Sequence, residues 1–253
     1  MKTVCTLMLL LAAAPLLMAE NDSRVFEMRI YYAAPGKLEA MHARFRDHTC
    51  KLFEKHGMTN IGYWVPEGEN KEAKLVYVLA YPSREAREKS WKAFQNDSDW
   101  KTAYAASEKG GKLVAKAEVL FMSATDYSGA INAAVGKGPR VFELRTYTAS
   151  KGNLGGLNAR FRDHTLKLFS KHGMTNLFYW NLTKDQKNAD STLIYILAHA
   201  SRDAAKASFD AFRMDPDWMA ARKASETKAG GSLTTPDGVK SEFLRATDYS
   251  TTR

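Results

Sequence analysis

Cysteine and long apolar runs are both scarce in this sequence. It contains two cysteines among 253 residues, and one of them, Cys5, lies within an N-terminal apolar run from Val4 to Leu17. That run is shorter than the roughly 20 residues that span a bilayer, so the sequence predicts no stable membrane span. Removal of this segment would leave Cys50 alone, and an internal disulfide would then be excluded.

Several short motifs that carry chemistry are also missing. Gly-x-Ser-x-Gly, Gly-x-Gly-x-x-Gly, the P-loop, Cys-x-x-Cys and His-Glu-x-x-His do not occur in the sequence. Their absence argues against an acyl-transfer nucleophile, nucleotide-dependent chemistry and a dedicated zinc site.

Basic side chains outnumber acidic ones, 37 to 28, which gives a formal net charge of +9. Such an excess permits attraction to nucleic acid or to an anionic membrane surface. The charges are interleaved, however, as in Arg-Glu-Ala-Arg-Glu-Lys at 84–89, and no uniformly basic arm is present. We therefore predict a solvated surface and no nucleic-acid partner.

The first 19 residues contain the three regions of a secretory signal peptide. Lys2 precedes the apolar run, and small residues follow the run near Ala19. This arrangement predicts cleavage after Ala19 and a periplasmic or secreted mature protein.

The rest of the chain is an internal repeat. At a shift of 116 residues, 24–64 aligns with 140–180 without a gap, and 27 of the 41 positions are identical. Both copies close on Ala-Thr-Asp-Tyr-Ser. The duplication predicts two domains, 24–128 and 140–253, joined by a flexible linker at 129–139 that is rich in Gly and Ala.

Each copy has the element order β-α-β-β-α-β. The first strand alternates apolar and polar residues, as in Phe-Glu-Met-Arg-Ile-Tyr at 26–31. A helix follows, in which apolar residues recur every three or four positions until Gly57 ends it. Two strands, a helix that begins near Ser83 and a last strand complete the copy. This order predicts an α+β fold in which a four-stranded antiparallel sheet carries its helices on one face, the ferredoxin-like arrangement.

The helix-free face of each sheet has to be covered. Packing sheet against sheet achieves this, so the sequence predicts that the two domains close one intramolecular α+β barrel. The polar side of each first strand would then point into the space between the sheets. Those side chains are either buried ion pairs that hold the sheets in register or a ligand site: Glu27, Arg29, Tyr31, Glu143, Arg145 and Tyr147.

The combined motifs resemble the NIPSNAP family. The resemblance rests on Phe-Glu-Met-Arg-Ile-Tyr, Arg-Phe-Arg-Asp-His, Lys-His-Gly-Met, Tyr-Trp, Asp-Trp and the terminal Thr-Asp-Tyr-Ser, and it covers nearly all of both copies. It implies the dimeric α+β barrel fold, in agreement with the element order. It leaves the activity open, because the family is largely uncharacterised and the wider barrel group includes cofactor-free monooxygenases, isomerases and haem proteins.

Histidines and aromatic residues complete the set of candidates. His48 and His164 fall on the apolar helical face, where a histidine is a hydrogen-bonded core residue, a general base or a ligand for metal or haem. We favour the core role because that face packs away from the space between the sheets. Four aromatic residues of the second strand form either core or the wall of a ligand pocket: Tyr63, Trp64, Tyr179 and Trp180.

Three functions are consistent with these patterns. The first is binding of a small apolar or aromatic molecule between the two sheets, with no cofactor predicted. The second is an oxidative enzyme, either cofactor-free or haem-dependent, and the third is a protein-interaction role with a filled barrel. A cavity of roughly 300 Å³ or more lined by Arg29, Tyr31, Arg145 and Tyr147 would favour the first function. Further oligomerisation is left open.

Overall fold

The structure, a computed structural model, describes residues 22–136, 138 and 140–253. The signal peptide predicted at 1–19 lies outside these residues. We call 24–128 the first half and 140–253 the second half. The strands are β1 (Val25–Ala33), β2 (Thr59–Pro66), β3 (Lys74–Tyr81), β4 (Val114–Ala124), β5 (Val141–Ala149), β6 (Thr175–Leu182), β7 (Thr192–His199) and β8 (Thr234–Ala246).

The helices follow the same order in the two halves. They are α1 (Leu38–Arg44), α2 (Cys50–Lys55), α3 (Arg84–Asn96), α4 (Ser98–Ser107), α5 (Leu154–Arg160), α6 (Leu166–Lys171), α7 (Arg202–Met214) and α8 (Pro216–Ala229). A π-helical turn joins α1 to α2 at Phe45–Thr49, and another joins α5 to α6 at Phe161–Thr165. Among the described residues, no helix has both the length and the apolar character needed to cross a membrane.

The second helical region of each half consists of two helices, where the sequence pattern predicted one. Ser83 begins α3 as expected, because its hydroxyl accepts a hydrogen bond from the Ala86 amide at 3.1 Å. The helix then breaks at Asp97, whose carboxylate accepts from the Asp99 amide at 2.8 Å and so caps α4. Asp215 makes the same cap in the second half. Capping aspartates satisfy orphan amides and fix the point at which a new helix starts.

All eight strands form one closed antiparallel barrel in the order β1-β3-β2-β8-β5-β7-β6-β4. Within each half the strands have the ferredoxin-like order, β4-β1-β3-β2 and β8-β5-β7-β6. The halves join along two seams, where β2 pairs with β8 and β4 pairs with β6. The predicted ferredoxin-like halves and the shared barrel are therefore both confirmed.

The barrel interior is filled by apolar side chains from both halves. Phe26, Met28, Trp64, Phe142 and Trp180 belong to one continuous interior cluster, and each is at most 1% exposed. The barrel is therefore filled, which is the arrangement expected from the sequence for a protein-interaction role. A ligand site between the sheets, in contrast, has no support.

The predicted direction of the first strand was wrong. Because Phe26 and Met28 point into the barrel, the alternate residues Glu27, Arg29 and Tyr31 point to the helices, and β5 behaves identically. Both faces of these strands are buried, so polarity alone does not identify the inner face. The enclosed interior takes the apolar face, and the helix layer supplies hydrogen-bond partners for the polar one.

The closing Thr-Asp-Tyr-Ser segment of each half crosses to the helices of the other half. Tyr249 packs against Phe45 and shares a 2.7 Å hydrogen bond with Nδ1 of His42. Tyr127 reciprocates on the second half, where its hydroxyl donates to Asn158 at 2.8 Å. Each half therefore contributes an aromatic side chain to the helix layer of its partner.

The segment between the halves is also fastened to the barrel over its described residues. Ile131 is fully buried in the interior cluster, and its amide donates to Asp22 at 3.1 Å. Farther along, the Gly136 amide donates to the carbonyl of Arg253 at 2.8 Å. The Gly- and Ala-rich composition predicted a flexible linker. Composition does not reveal that one apolar residue of this segment, Ile131, packs in the interior of the barrel.

Candidate functional site

A cavity lies between the sheet and the helices of the first half. Its volume is about 590 Å³, and we call it the first-half cavity. Eight aromatic residues line it: Tyr31, Phe45, Phe53, Tyr77, Trp91, Phe94, Trp100 and Tyr104. Val114, Ala117 and seven polar residues complete the lining, the polar ones being Arg29, Arg44, Thr49, Gln95, Lys101, Glu108 and Lys112.

Arg29 is the basic group that β1 directs into this cavity. Its Nη1 donates to Glu27 at 2.5 Å, its Nε donates to the Tyr31 hydroxyl at 3.2 Å, and its guanidinium lies 4.5 Å from the ring centre of Trp91. These contacts leave little freedom to the side chain. Arg29 is therefore held in one orientation before any ligand arrives.

Glu27 anchors this arrangement from behind the cavity. The carboxylate is fully buried, and it also accepts hydrogen bonds from Arg87 at 2.8 Å and from the Tyr81 hydroxyl at 2.9 Å. Burial alone would raise the pKa of Glu27, but the hydrogen bond from Arg87 and the charge of Arg29 outweigh it, and the pKa lies below its ordinary value. One fixed anion therefore serves two arginines, of which Arg87 is also paired with the exposed carboxylate of Glu88 at 3.0 Å.

Tyr77 is one of the lining residues, and its buried hydroxyl has no hydrogen-bond partner among the described residues, as is also true of Tyr195 in the second half. The side chain is fully buried, and the Tyr31 ring lies edge-on to it at 5.2 Å. Burial raises the pKa of Tyr77 well above its ordinary value, so the group is a neutral phenol and a hydrogen-bond donor. An unpaired buried hydroxyl costs about 1–3 kcal/mol, and an acceptor placed in the cavity would recover that cost.

The π-helical turn brings two further polar residues to the cavity. In this turn the Cys50 amide donates to the carbonyl of Phe45, five residues earlier, and the wider turn shifts every later side chain around the helix. The side chain that follows Phe45 into the core is consequently Thr49, whose hydroxyl donates to the Arg44 carbonyl at 3.0 Å. Arg44 is 5% exposed and pairs with Glu108 at 2.9 Å.

The same turn overturns the prediction for the two equivalent histidines. His48 and His164 are exposed on the outer side of their helices, where the three-four periodicity had placed them in the core. One extra residue in the turn rotates them outward and puts Thr49 and Thr165 in their place. Neither histidine lines the cavity of its half.

The other predicted site residues lie either in the barrel interior or between the sheet and the helices. Arg29, Tyr31, Arg145 and Tyr147 line cavities, whereas Glu27 and Glu143 stand behind them. Trp64 and Trp180 point into the barrel and Tyr63 and Tyr179 into the helix layer, and all four are at most 1% exposed.

Several lining residues escaped the sequence interpretation. They come from helices that pack over the sheet, and their positions depend on long-range packing: Arg44, Thr49, Trp91, Trp100 and Glu108. A usable signal was present, because four of them recur identically in the second half as Arg160, Thr165, Trp218 and Glu226. Buried Arg and Thr on an apolar helix face have no packing advantage and indicate a polar function.

The second half has an equivalent but smaller cavity of about 290 Å³, the second-half cavity. Arg145 occupies it in the manner of Arg29, with hydrogen bonds to Glu143 and to the Tyr147 hydroxyl. Glu143 is supported differently, because His199 replaces Tyr81 and its Nε2 lies 3.1 Å from the carboxylate. Six positions that line both cavities change between the halves: Trp91 to Phe209, Gln95 to Arg213, Tyr104 to Arg222, Lys112 to Ser232, Val114 to Thr234 and Ala117 to Val239.

The possible metal ligands and the thiol of Cys50 do not indicate a reactive site among the described residues. No group of three or more His, Cys, Asp or Glu side chains is arranged to hold a metal ion in the part of the chain described. Burial raises the pKa of the Cys50 thiol to about 12, and the side chain packs in the helix layer. Cys50 therefore behaves as a small apolar residue, and Leu166 occupies the equivalent position in the second half.

Comparison with known proteins resolves the relationship that the fold leaves open. The family model for NIPSNAP matches residues 26–129 and again 142–251. The chain belongs to the NIPSNAP family. It contains two tandem NIPSNAP domains, and both lie within the single barrel described above. No curated protein has significant sequence similarity to it.

Solved structures show similarity to this chain at low sequence identity. A Lactobacillus acidophilus NCFM protein, named provisionally as a monooxygenase, is 11% identical over 91% of this chain and 95% of its own, with a TM-score of 0.55. An anthrone oxidase-like protein is 12% identical over 92% and 94%, with a TM-score of 0.54. A NIPSNAP family protein of Agrobacterium tumefaciens str. C58 is 19% identical and aligns with 41% of this chain and 95% of its own, with a TM-score of 0.37.

Proposed function

We propose that the first-half cavity binds a small planar aromatic molecule that carries an oxygen acceptor or an anionic group. One observation carries this proposal: aromatic walls, the oriented guanidinium of Arg29 and the unpaired hydroxyl of Tyr77 all meet in one cavity of about 590 Å³. The sequence predicted the type of ligand but placed it between the sheets.

The size and walls of the cavity favour an aromatic ligand. Its volume falls within the range of about 300–1,000 Å³ that small-molecule sites occupy. Trp91 and Trp100 stand among its walls, and each edge-to-face or offset contact with a ligand ring would contribute about 0.5–1.5 kcal/mol beyond burial. A rigid aromatic molecule would gain this contact area at little cost in conformational entropy.

The polar groups favour an acceptor or anion on that ligand. Tyr77 provides a neutral donor, and Arg29 a charged donor whose anion, Glu27, is shared with Arg87. Charge-assisted hydrogen bonds to a guanidinium are about twice as strong as neutral ones. A carboxylate, phenolate or carbonyl group would therefore be bound more tightly than an unsubstituted ring.

Native mass spectrometry of the full chain purified from its own host would test the proposal, together with an absorption spectrum of the same sample. We expect a bound aromatic mass in the wild type that Tyr77→Phe or Arg29→Met removes or weakens by about tenfold. Tyr195→Phe and Arg145→Met change the equivalent positions of the second half and should leave this mass in place. Equal loss in both pairs of variants, or a bare wild-type chain that also fails to bind added aromatic carboxylates, would contradict the proposal.

Oxidation of the bound molecule is a second candidate function. Its support is the similarity in fold to the proteins named as a monooxygenase and as anthrone oxidase-like, and the presence of two donors that would stabilise a negatively charged oxygen on a substrate. Anthrone is a suitable probe, because its conversion by O₂ to anthraquinone and water consumes one O₂ per molecule. Dioxygen uptake that depends on Tyr77 and Arg29 would support this function, and its absence would leave binding alone.

The sequence left haem open for this second candidate function. The candidate histidines are not placed to bind haem in the first-half cavity. An axial histidine has to reach the cavity, but His48 lies on the outer surface of its helix and no histidine is among the residues that line the first-half cavity. We therefore derive no step through haem.

We also propose that the chain acts outside the cytoplasm. The support is the N-terminal pattern of Lys2, an apolar run and small residues at Ala19. Sequencing the N-terminus of the protein recovered from the periplasmic or secreted fraction should identify Glu20 as the first residue. An intact Met1 in the cytoplasmic fraction would reject export.

A further inference from the structure

The equivalent glutamates of the two cavities, Glu108 and Glu226, have different arginine partners. The difference changes the surroundings of Arg160. In the first half, Glu108 lies 2.9 Å from the guanidinium of Arg44 and neutralises it. In the second half, the equivalent distance between Glu226 and Arg160 is 3.8 Å. The carboxylate has instead moved to Arg222, whose Nε donates to it at 3.0 Å.

Arg222 occupies the position that Tyr104 holds in the first half. A tyrosine at this position does not form an ion pair with the neighbouring glutamate. An arginine does, and it therefore competes with Arg160 for Glu226. The result is that Arg160, which is 7% exposed, is left with a distant carboxylate and a long hydrogen bond of 3.4 Å from its Nη1 to the Ser225 hydroxyl. Its buried Nε has no hydrogen-bond partner among the described residues, which is also true of the Arg44 Nε. Burial lowers the pKa of Arg160, as expected for a charge that lacks a close counter-ion.

Four guanidinium groups line this cavity. Arg145 and Arg160 are its buried groups, and Arg213 and Arg222 are more than half exposed. The carboxylates available to them are Glu226 in the lining, Glu143 behind Arg145, and Asp210 beside Arg213. Four positive charges facing three negative ones leave one in excess. The buried Nε of Arg145 is also unpaired among the described residues.

The volume limits what can neutralise that charge. The second-half cavity measures about 290 Å³, half the volume of its counterpart, and lies at the lower limit for organic ligands. A compact anion would fit, and arginine forks match the oxygens of phosphate and carboxylate groups. We infer that the second-half cavity binds a compact oxyanion of the phosphate or dicarboxylate class, held by Arg160 together with Arg145 and Arg222.

Isothermal titration of the full chain with inorganic phosphate and with malonate, each against sodium chloride at matched ionic strength, would test this inference. We expect saturable binding of at least one oxyanion, and the tighter one identifies the class. Arg222→Tyr recreates the residue of the first half and should return Glu226 to Arg160. It should weaken binding by about tenfold, and its position on the exposed rim makes unfolding improbable as a cause.

The reciprocal variant makes the test independent of loss of fold. Tyr104→Arg should draw Glu108 from Arg44 and create a second oxyanion site with weaker affinity. Failure of both oxyanions to bind above the chloride control, or equal binding by Arg222→Tyr, would overturn the inference. Binding of an aromatic ligand in the first-half cavity is measured separately, so either proposal can fail while the other stands.

Discussion

The two halves share a framework and differ at the rim of their cavities. Both place an arginine and a tyrosine from the first strand under a π-helical turn, and both bury an arginine and a threonine from that turn. Three of the residues that changed, at positions 91, 95 and 104 of the first half, lie on the covering helices. Duplication has therefore kept the supports of the site and altered the surfaces that meet a ligand, which is how one fold can acquire two specificities within one chain.

The largest expected difference between the halves concerns the buried carboxylates. Glu27→Gln leaves Arg29 and Arg87 without their shared anion, and removing one partner of a buried ion pair costs about 3–5 kcal/mol. Glu143→Gln should cost less, because Glu143 pairs with one arginine, Arg145, and has His199 in place of a second arginine. Chemical denaturation of both variants measures the two free energies of unfolding. A larger loss for Glu143→Gln would contradict the asymmetry.

A pH titration of stability follows from the same carboxylates. The pKa values of Glu27 and Glu143 lie below the ordinary value of 4.5. Their stabilisation is therefore fully present above that value and is lost as the pH falls through the lower folded pKa. We expect the free energy of unfolding to decrease below about pH 4.5, and Glu27→Gln to flatten this acid limb. An unchanged limb in that variant would exclude Glu27 as a contributor.

The two π-helical turns should respond equally to mutation. Thr49→Val and Thr165→Val each remove a hydroxyl that donates to a carbonyl at 3.0 Å, so each should cost about 1 kcal/mol. Thermal unfolding monitored by circular dichroism would compare them. A much larger effect in one half would mean that the turn is supported differently there.

The smallest expected effects come from the exposed ion pairs between the halves. Arg46 contacts Asp248 through two hydrogen bonds, and Arg162 contacts Asp126 in the same way. Because these side chains are 41–62% exposed, Asp248→Asn and Asp126→Asn should each cost at most about 1 kcal/mol. Raising the salt concentration should reduce both effects. A cost that persists in high salt would point to a structural role beyond charge.

Much of the fold could be predicted because it depends on local pattern and on the repeat. Period-two alternation located the strands, Ser83 marked a helix start, and an unpartnered sheet face required a second copy to cover it. The site was less accessible. The polar face of β1 has Arg87 and Trp91 among its hydrogen-bond partners, and these lie about 60 residues from Glu27 in sequence and bond to it only after folding.

The π-helical turns mark another limit of prediction. A regular three-four repeat runs through His48. Nothing in the local sequence distinguishes this pattern from a helix that has one extra residue in a single turn. The inserted residue costs helical hydrogen-bond geometry and persists because Thr49 and Arg44 gain places beside the cavity. The core position predicted for His48 was therefore wrong, and the same turn brings Thr49 inward instead.

The exchanged Thr-Asp-Tyr-Ser segments have a consequence for how the molecule is assembled. Two separate chains that close such a barrel must meet by diffusion, and their stability depends on protein concentration. Here the partner surfaces are tethered, so their effective concentration is fixed by the connection at about millimolar levels. The barrel therefore closes equally well in a dilute compartment, and its two halves are always present in a one-to-one ratio.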